Sequence, residues 1–399
     1  MKISALDGCV MRQEGINSLS RRDIERIQLQ KLNAVLHREK MRGGFYGGLP
    51  DSLSNLGELH SLPFTTPRQL GENSGSMLLI SQAQVQRVIT DATSGTTGVA
   101  KRVFYTADDC RRTVEFFAAG ISEMVCPGGR TLVCMPFSGQ FGLGDLISRA
   151  VESLGAVPIK AGAGLALGEY SDIIEAEKPD AFIGMPSQLL SILRAGAAGS
   201  LRRALPSGDA CPDGVLKLIA GYGLELFPHY GSREMALGGA VTCPAHEGMH
   251  LRENHVVAEI IGGDDAPLPA GEEGELVVTT IGMEAMPLIR YRTGDVARIL
   301  PEKCPCGSEL LRLDGVKRRD NPMEALDDAV FSVTNVVDYR AEASERALHI
   351  EALTADGGDG GIRDAAQTVF PGCEISVSAR SLARGDALFY AGKRTLGKL

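Results

Sequence analysis

Between residues 90 and 300 the apolar positions alternate between two rhythms. Short β-rich runs, TLVCMPF (131–137), AVPIK (156–160), AFIGMP (181–186) and ELVVTT (275–280), exchange with stretches at helical spacing. The helical stretches are DDCRRTVEFFAAGISEMV (108–125), LGDLISRAVESLG (143–155) and PSQLLSILRAG (186–196). Alternation of this kind predicts a layered α/β domain. Upstream, residues 17–42 set Ile24, Ile27, Leu32, Val35 and Leu36 near helical spacing among charges. That predicts an amphipathic surface helix, with Ser18 and Ser20 as candidate caps. LPFTTPRQL (62–70) reads as a loop entering a short helix. Beyond about residue 315 the pattern shifts. Strand-like runs at 329–343, 347–355 and 373–379 surround a Gly/Asp-rich loop and one helix at 362–370. A small α+β unit of about 80 residues is expected there, joined through the charged KRRDNP hinge (317–322).

Composition narrows the function classes. The 399 residues are 44% hydrophobic and 23% charged, ordinary globular usage for a chain of two domains. Lys+Arg total 41 against 50 for Asp+Glu, a net charge of −9. Without a basic excess, nucleic acid is not an expected partner. Tryptophan is absent and aromatics are 5%, which argues against stacking platforms. Nine scattered cysteines form no disulfide framework and point to a reducing, cytoplasmic compartment. No run approaches the roughly 18–20 apolar residues of a membrane span, and no apolar signal core opens the chain. A soluble protein off the membrane is expected.

The densest local chemistry lies at 91–101, DATSGTTGVAK. Ser94, Thr96 and Thr97 bring hydroxyls, while Gly95 and Gly98 remove the Cβ, so backbone N–H groups can wrap a polyphosphate. Only two residues separate the glycines, so this is not a Walker A loop. A hydroxyl-rich turn between the strands RVIT (87–90) and RVFYT (102–106) accounts for the composition equally well.

Three segments together carry a resemblance. TSGTTG (93–98) with Lys101, HYGSREM (229–235) and GELVVTTIGMEAMPLIRYRTGD (274–295) occur in order. They resemble the motifs of the adenylate-forming superfamily: acyl-CoA synthetases, luciferases and nonribosomal-peptide adenylation domains. LPFTTPRQL, PLIRYR and CPCG (304–307) narrow the likeness to the phenylacetate–CoA ligase-like branch. It spans essentially the whole chain and is strongest from 60 to 320. The resemblance implies an α/β fold. A large multi-layered adenylate-forming N-terminal domain, 1–315, would bind ATP and the carboxylate, and a small mobile α+β C-terminal domain, 316–399, would rotate about the hinge. It also implies the activity: ATP with Mg²⁺ activates a small-molecule carboxylic acid as acyl-adenylate, and the acyl group passes to CoA.

Roles follow by the same resemblance. Thr93, Ser94, Gly95, Thr96, Thr97, Gly98 and Lys101 would hold the β- and γ-phosphates. Glu234 would bind Mg²⁺, a job suited to hard carboxylate oxygen. Tyr230 would lie against adenine, with Gly231 and Ser232 beside it in the same nucleotide motif, and Asp295 would accept from the ribose hydroxyls. Ser207, Gly208 and Asp209 resemble the stretch lining the adenine side, with Asp for the family's Glu. Phe137, Gly139, Phe141 and Gly142, in MPFSGQFGLGD (135–145), look like the acyl-pocket loop, although core aromatics would read the same. Lys393 in GKRTLG is the candidate C-terminal catalytic lysine, with Lys398 second.

Two departures stand out. Arg233 replaces the motif's Thr; it can pair bidentately with phosphate but is bulkier. The hinge reads Lys317-Arg318-Arg319-Asp320-Asn321 where the family carries Gly-Arg-x-Asp-Asp, so Arg318 and Asp320 are the match, with Arg319 one register away. Cys304 and Cys306 in CPCG, with Cys243, His246 and His250 in CPAHEGMH (243–250), are structural-zinc vocabulary. Similar combinations in related ligases point to Cys243, His250, Cys304 and Cys306 around a structural Zn²⁺, with His246 as substitute. Buried free thiols are the plain alternative.

Other outcomes fit the same residues. An adenylyltransferase or acyl-protein synthetase would pass the adenylate or acyl group to a cofactor or carrier protein. A catalytically lapsed nucleotide-binding regulator would result if Arg233 blocks the phosphates. A homodimer is among the assemblies the sequence allows.

Overall fold

A computed structural model describes residues 3–91 and 100–399. Two compact units result, one running up to Gly120 and including His229–Val316, the other joining Ile121–Pro228 to Lys317–Leu399. The last crossing between them falls immediately before the KRRDNP segment.

The first unit opens with helices Ala5–Glu14 and Arg21–Arg42. Ser20 starts the second through a reciprocal capping box with Asp23, and Gly43 ends it in the left-handed conformation. The expected amphipathic helix therefore begins at Arg21. Ala5–Glu14 has no clear apolar stripe, and its sequence predicts nothing. Its support is tertiary: Leu6, Cys9 and Val10 are buried, and the Asp7 carboxylate accepts from Ser308 and from the Glu309 amide. Strands Arg87–Asp91 and Lys101–Tyr105 pair antiparallel, with Asp91 opposite Lys101. A seven-stranded sheet completes the unit. Its order is Val256–Ile261, Gly274–Thr280, Tyr291–Ile299, Arg312–Arg318, Met249–Leu251, Ala240–Thr242, His229–Tyr230.

The second unit holds a five-stranded parallel sheet in the order Val157–Lys160, Arg130–Cys134, Ala181–Gly184, Arg203–Pro206, Glu225–Leu226. The central Ala181–Gly184 is buried at every position, as expected of a parallel strand covered on both faces. Helices Leu143–Ser153, Leu167–Glu177, Pro186–Arg194 and Asp213–Ala220 supply the crossovers. A four-stranded sheet, Glu374–Ser381, Ala347–Thr354, Val336–Ala343, Gly397–Lys398, belongs to 317–399. The run 329–343 is not wholly strand. Ala329–Phe331 complete the helix Pro322–Phe331, because Met323, Leu326 and Val330 share one buried face and Pro322 starts the turn. The strand begins only at Val336.

Residues 317–399 and 121–228 share one core. Leu326, Phe331, Tyr339 and Ile350 pack in the same cluster as Phe182, Leu189, Ile192 and Ile219. Each such side chain contributes about 1.5–3 kcal/mol on burial. All nine cysteines are free thiols, and among the described residues no helix is long and apolar enough to cross a membrane.

Candidate active site

In the first unit, the chain turns sharply at Gly231, where a Cβ would lie 2.2 Å from the Leu237 carbonyl oxygen. The Ser232 carbonyl accepts from the Met235 and Leu237 amides. These bonds set Arg233–Met235 as one 3₁₀ turn and leave Glu234 only 8% exposed. Lys101, at the start of its strand, places Nζ 3.1 Å from Glu234 Oε1. The Tyr291 hydroxyl donates to the same oxygen at 2.9 Å. Tyr105 steadies the turn by donating to the Arg233 carbonyl at 2.6 Å. Burial pushes the Glu234 carboxyl up, but the Lys101 ammonium and the hydrogen bonds it accepts outweigh burial and hold it below the ordinary value. Glu234 is therefore a carboxylate at neutral pH.

Tyr230 and Asp295 meet in the same unit, the tyrosine hydroxyl donating to Asp295 Oδ2 at 2.6 Å. Burial first, then the Asp295 charge, raise the Tyr230 phenol well above its usual value, so it stays a donor. Asp295 follows Gly294, whose φ of +75° lets the strand bend, and its amide donates to Thr293 Oγ1 at 3.0 Å. Arg290 joins two segments distant in the sequence. Its guanidinium donates to the His60 and Leu62 carbonyls at 2.8 and 2.7 Å, pairs with Glu259 and stacks over Phe64 at 4.0 Å. PLIRYR thus holds LPF in place.

Tyr291 and Tyr105 carried no role in the sequence reading. Tyr291 lies inside the RYRTGD run (290–295), and the run itself is the signal. Tyr105 offered none, because its reach across 128 positions is a tertiary fact. Thr93, Ser94, Gly95, Thr96, Thr97 and Gly98 lie outside the described residues.

In the second unit, Ser207 is buried and Gly208 adopts φ +88°. The Asp209 carboxylate accepts from the Ala210 amide at 2.9 Å and from the Arg394 amide at 2.7 Å. The structure thus joins the Ser-Gly-Asp turn to the GKRTLG segment. Arg394 is buried beneath it, donating to Asp327 at 2.8 Å, Asp338 at 2.9 Å and the Tyr339 carbonyl at 2.8 Å. Lys393 next to it is exposed, and its charge acts on Asp209. Lys398 is also exposed, on the edge strand beside Ala343. Arg318 is exposed, its amide 3.4 Å from Glu324, and Asp320 sits at φ +54°. Phe137 is 38% exposed and lies on Gly144, where a Cβ would stand 3.0 Å from its ring. Gly139 has φ +78°, Phe141 is covered by the Arg149 guanidinium at 4.7 Å, and Gly142 precedes helix Leu143–Ser153.

One cluster unites distant cysteines in the first unit. Ligand atoms of Cys243, His250, Cys304 and Cys306 all lie within 4.8 Å of one another. Cys243 and Cys304 sulfurs are 3.6 Å apart, and Cys306 Sγ is 3.4 Å from His250 Nε2. His250 Nδ1 stands 3.2 Å from the Leu310 carbonyl, which makes Nε2 the ligating nitrogen. His246, at φ +52°, is not in the cluster. Tetrahedral thiolates at about 2.3 Å from a metal sit about 3.8 Å apart, so the spacing fits one ion.

Comparison with known proteins gives the family of the chain. Residues 91–285 match the AMP-binding enzyme family. The phenylacetate–coenzyme A ligase of Aromatoleum evansii is 31% identical over 333 residues, 78% of this chain and 73% of that one. The phenylacetate–coenzyme A ligase of Thermus thermophilus is 27% identical over 334 residues, 79% and 74% of the two chains. A crystal structure of 2-hydroxyisobutyryl-CoA ligase in the postadenylation state superposes with a TM-score of 0.77 at 18% identity, covering 95% of this chain and 90% of that one. The shared α/β architecture and the sequence likeness lead to one conclusion: this chain belongs to the adenylate-forming superfamily of AMP-binding enzymes, in its phenylacetate–CoA ligase-like branch.

Proposed function

We propose that the protein is an ATP-dependent, AMP-forming acid–CoA ligase. A carboxylate oxygen of a small acid attacks the α-phosphorus of ATP, the bond to the β-phosphate breaks, and pyrophosphate leaves. The CoA sulfur then attacks the acyl carbonyl, and AMP leaves with the bonding pair. The single observation carrying this reading is the Lys101–Glu234–Tyr291 cluster on the motif residues: a cation, an ionised carboxylate and a neutral donor within 3.1 Å of one oxygen.

Such a site answers the electrostatic problem of an anion attacking a polyanion. Lys101, with Thr93, Ser94, Gly95, Thr96, Thr97 and Gly98, holds the phosphates. Glu234 is the residue that would hold Mg²⁺, which when bound supplies positive charge to the leaving pyrophosphate. In the first unit Asp295 orients the ribose and Tyr230 the adenine, with Gly231, Ser232 and Arg233 in the same motif; in the second, Ser207, Gly208 and Asp209 are the residues the family likeness gives to adenine. Phe137, Gly139, Phe141 and Gly142 line the acyl side. By the family likeness Arg318 stands at the hinge before the C-terminal region, and Lys393 neutralises the reacting carboxylate. An assay of carboxylate-dependent pyrophosphate exchange across an acid panel tests the reading. Exchange plus thioester on adding CoA is expected. Exchange without thioester would turn the reading toward an adenylyl or acyl-protein transferase, and tight ATP binding without exchange would overturn it. Lys393→Ala is expected to lower adenylate formation severely while sparing thioester formation from supplied acyl-adenylate. An unchanged rate of pyrophosphate release would remove Lys393 from the site.

A structural Zn²⁺ at Cys243, His250, Cys304 and Cys306 belongs to the same proposal. Three thiolates and one imidazole leave no open position, so the ion would pin 243–250 to 304–306 and take no part in the chemistry. Protein prepared without chelator is expected to contain about one zinc per chain by elemental analysis, and Cys304→Ser to lose it. Metal-free protein of unchanged thermal stability would dismiss the ion.

A further inference from the structure

Between strands Glu374–Ser381 and Gly397–Lys398 the chain forms neither helix nor strand. Lys393 lies in that stretch, exposed, after Gly392 with open space around it. A lysine on such a loop has many backbone and rotamer states to lose before its ammonium can meet a carboxylate. Contacts on both sides remove that freedom from the backbone. The Phe389 amide donates to Asp338 Oδ2 at 2.8 Å, and the Tyr390 hydroxyl donates to the Thr395 carbonyl at 2.8 Å. The Arg394 amide donates to Asp209 Oδ2 at 2.7 Å. Beneath it the buried guanidinium donates to Asp327 Oδ1, Asp338 Oδ1 and the Tyr339 carbonyl at 2.8, 2.9 and 2.8 Å. Its carbon lies 5.1, 4.4 and 4.8 Å from the ring centroids of Phe331, Tyr339 and Tyr390. Asp338 therefore grips the loop twice, with one oxygen on Phe389 and the other on Arg394.

Stability alone does not call for this arrangement, because apolar side chains of like volume commonly replace a buried ion pair without loss. What the guanidinium fork adds is direction, since its donors meet two carboxylates and a carbonyl in one orientation only. Every residue involved belongs to the second unit. We propose that Arg394 is a positioning residue for adenylate formation: gripped by Asp327 and Asp338, it fixes the 389–395 loop and so presents Lys393 in one place. The inference rests on the reading of Lys393 given above. Arg394 lies beneath the loop and acts through the lysine.

The test compares full-length wild type, Lys393→Ala, Arg394→Lys and the double variant, using the acid that exchanges fastest in the panel. Single-turnover acyl-adenylate formation is measured beside thioester formation from supplied acyl-adenylate. Arg394→Lys keeps the charge and the backbone bond to Asp209 but loses the fork. It is expected to slow adenylate formation about 10–100-fold, the scale of a small misplacement, and to leave the thioester step within about twofold. In the Lys393→Ala background it should cost less than about twofold more, because nothing remains to be positioned. A merely structural clasp would slow both steps alike, or cost as much with Lys393 absent, and either result overturns the inference. If Arg394→Lys does not fold, Asp338→Asn takes its place, with the same pattern expected at smaller size. Lys393→Ala without effect on adenylate formation would remove the reading of Lys393 and the inference with it. A slow Lys393→Ala beside a full-speed Arg394→Lys would overturn the inference alone.

Discussion

Glu234→Gln is expected to lower acyl-adenylate formation by about 10²–10³-fold, the size of effect seen when one preorganised electrostatic group is removed from a reacting centre. The substitution keeps shape and keeps an acceptor for Tyr291, so it isolates charge. Glu234 is nearly buried, and its Oε1 receives both Lys101 and Tyr291. Neutralising it leaves Lys101 with an uncompensated charge and removes the hard anionic oxygen. Tyr291→Phe removes one hydrogen bond to a charged group and should cost only about 10-fold. The measurement is single-turnover adenylate formation beside calorimetric ATP binding. A Gln variant within about twofold of wild type would strip Glu234 of its role. The acid limb of the activity profile should not report Glu234. Its folded value is depressed below the ordinary 4.5, so its contribution is present above that value and fades only as pH falls through the lower one.

The second large effect is on stability. Arg394→Met is expected to cost about 3–5 kcal/mol in urea unfolding, because it strands two buried carboxylates. Arg394 donates to Asp327 and Asp338 at 2.8 and 2.9 Å, with side-chain exposure of 3% for the arginine against 8% and 2% for the acids. Burial already pushes the Asp327 carboxyl up to about 6, against the pull of Arg394. Without the arginine both acids rise further. A raised carboxyl stabilises the fold below its unfolded value and loses that stability as pH climbs through the folded value. The deficit of Arg394→Met should therefore be larger at about pH 8 than at about pH 5, and adding Asp338→Asn should recover part of it. A pH-independent loss would mean that only packing was removed. The backbone amide of residue 394, which donates to Asp209, is retained in this variant, so the Ser207–Asp209 turn should keep that bond.

Much of this was legible along the chain. The strand–helix alternation from 131 to 196 is the parallel sheet of the second unit, since apolar runs of that length have no other economical burial. The 329–343 run misled: its β-branched residues masked a helical face at Met323, Leu326 and Val330. The motif residues Tyr230, Glu234 and Asp295 stood out because the short segments that carry them resemble the superfamily's motifs in the same order.

What the sequence determined by itself is thus the local and the chemical: element rhythm, the motif turns, the superfamily and five Cys/His metal-binding candidates, among which only the packed structure separates His250 from His246. What only the tertiary structure decided is every partnership across distance. Helix Ala5–Glu14 exists where Asp7 meets Ser308; Tyr105 supports a turn far along the chain; and Arg394 is a buried clasp rather than a terminal cation. Each depends on which charges lose their water together. Spacing along a chain does not encode that, because desolvation is settled by the packed neighbours and not by the residue that carries the charge.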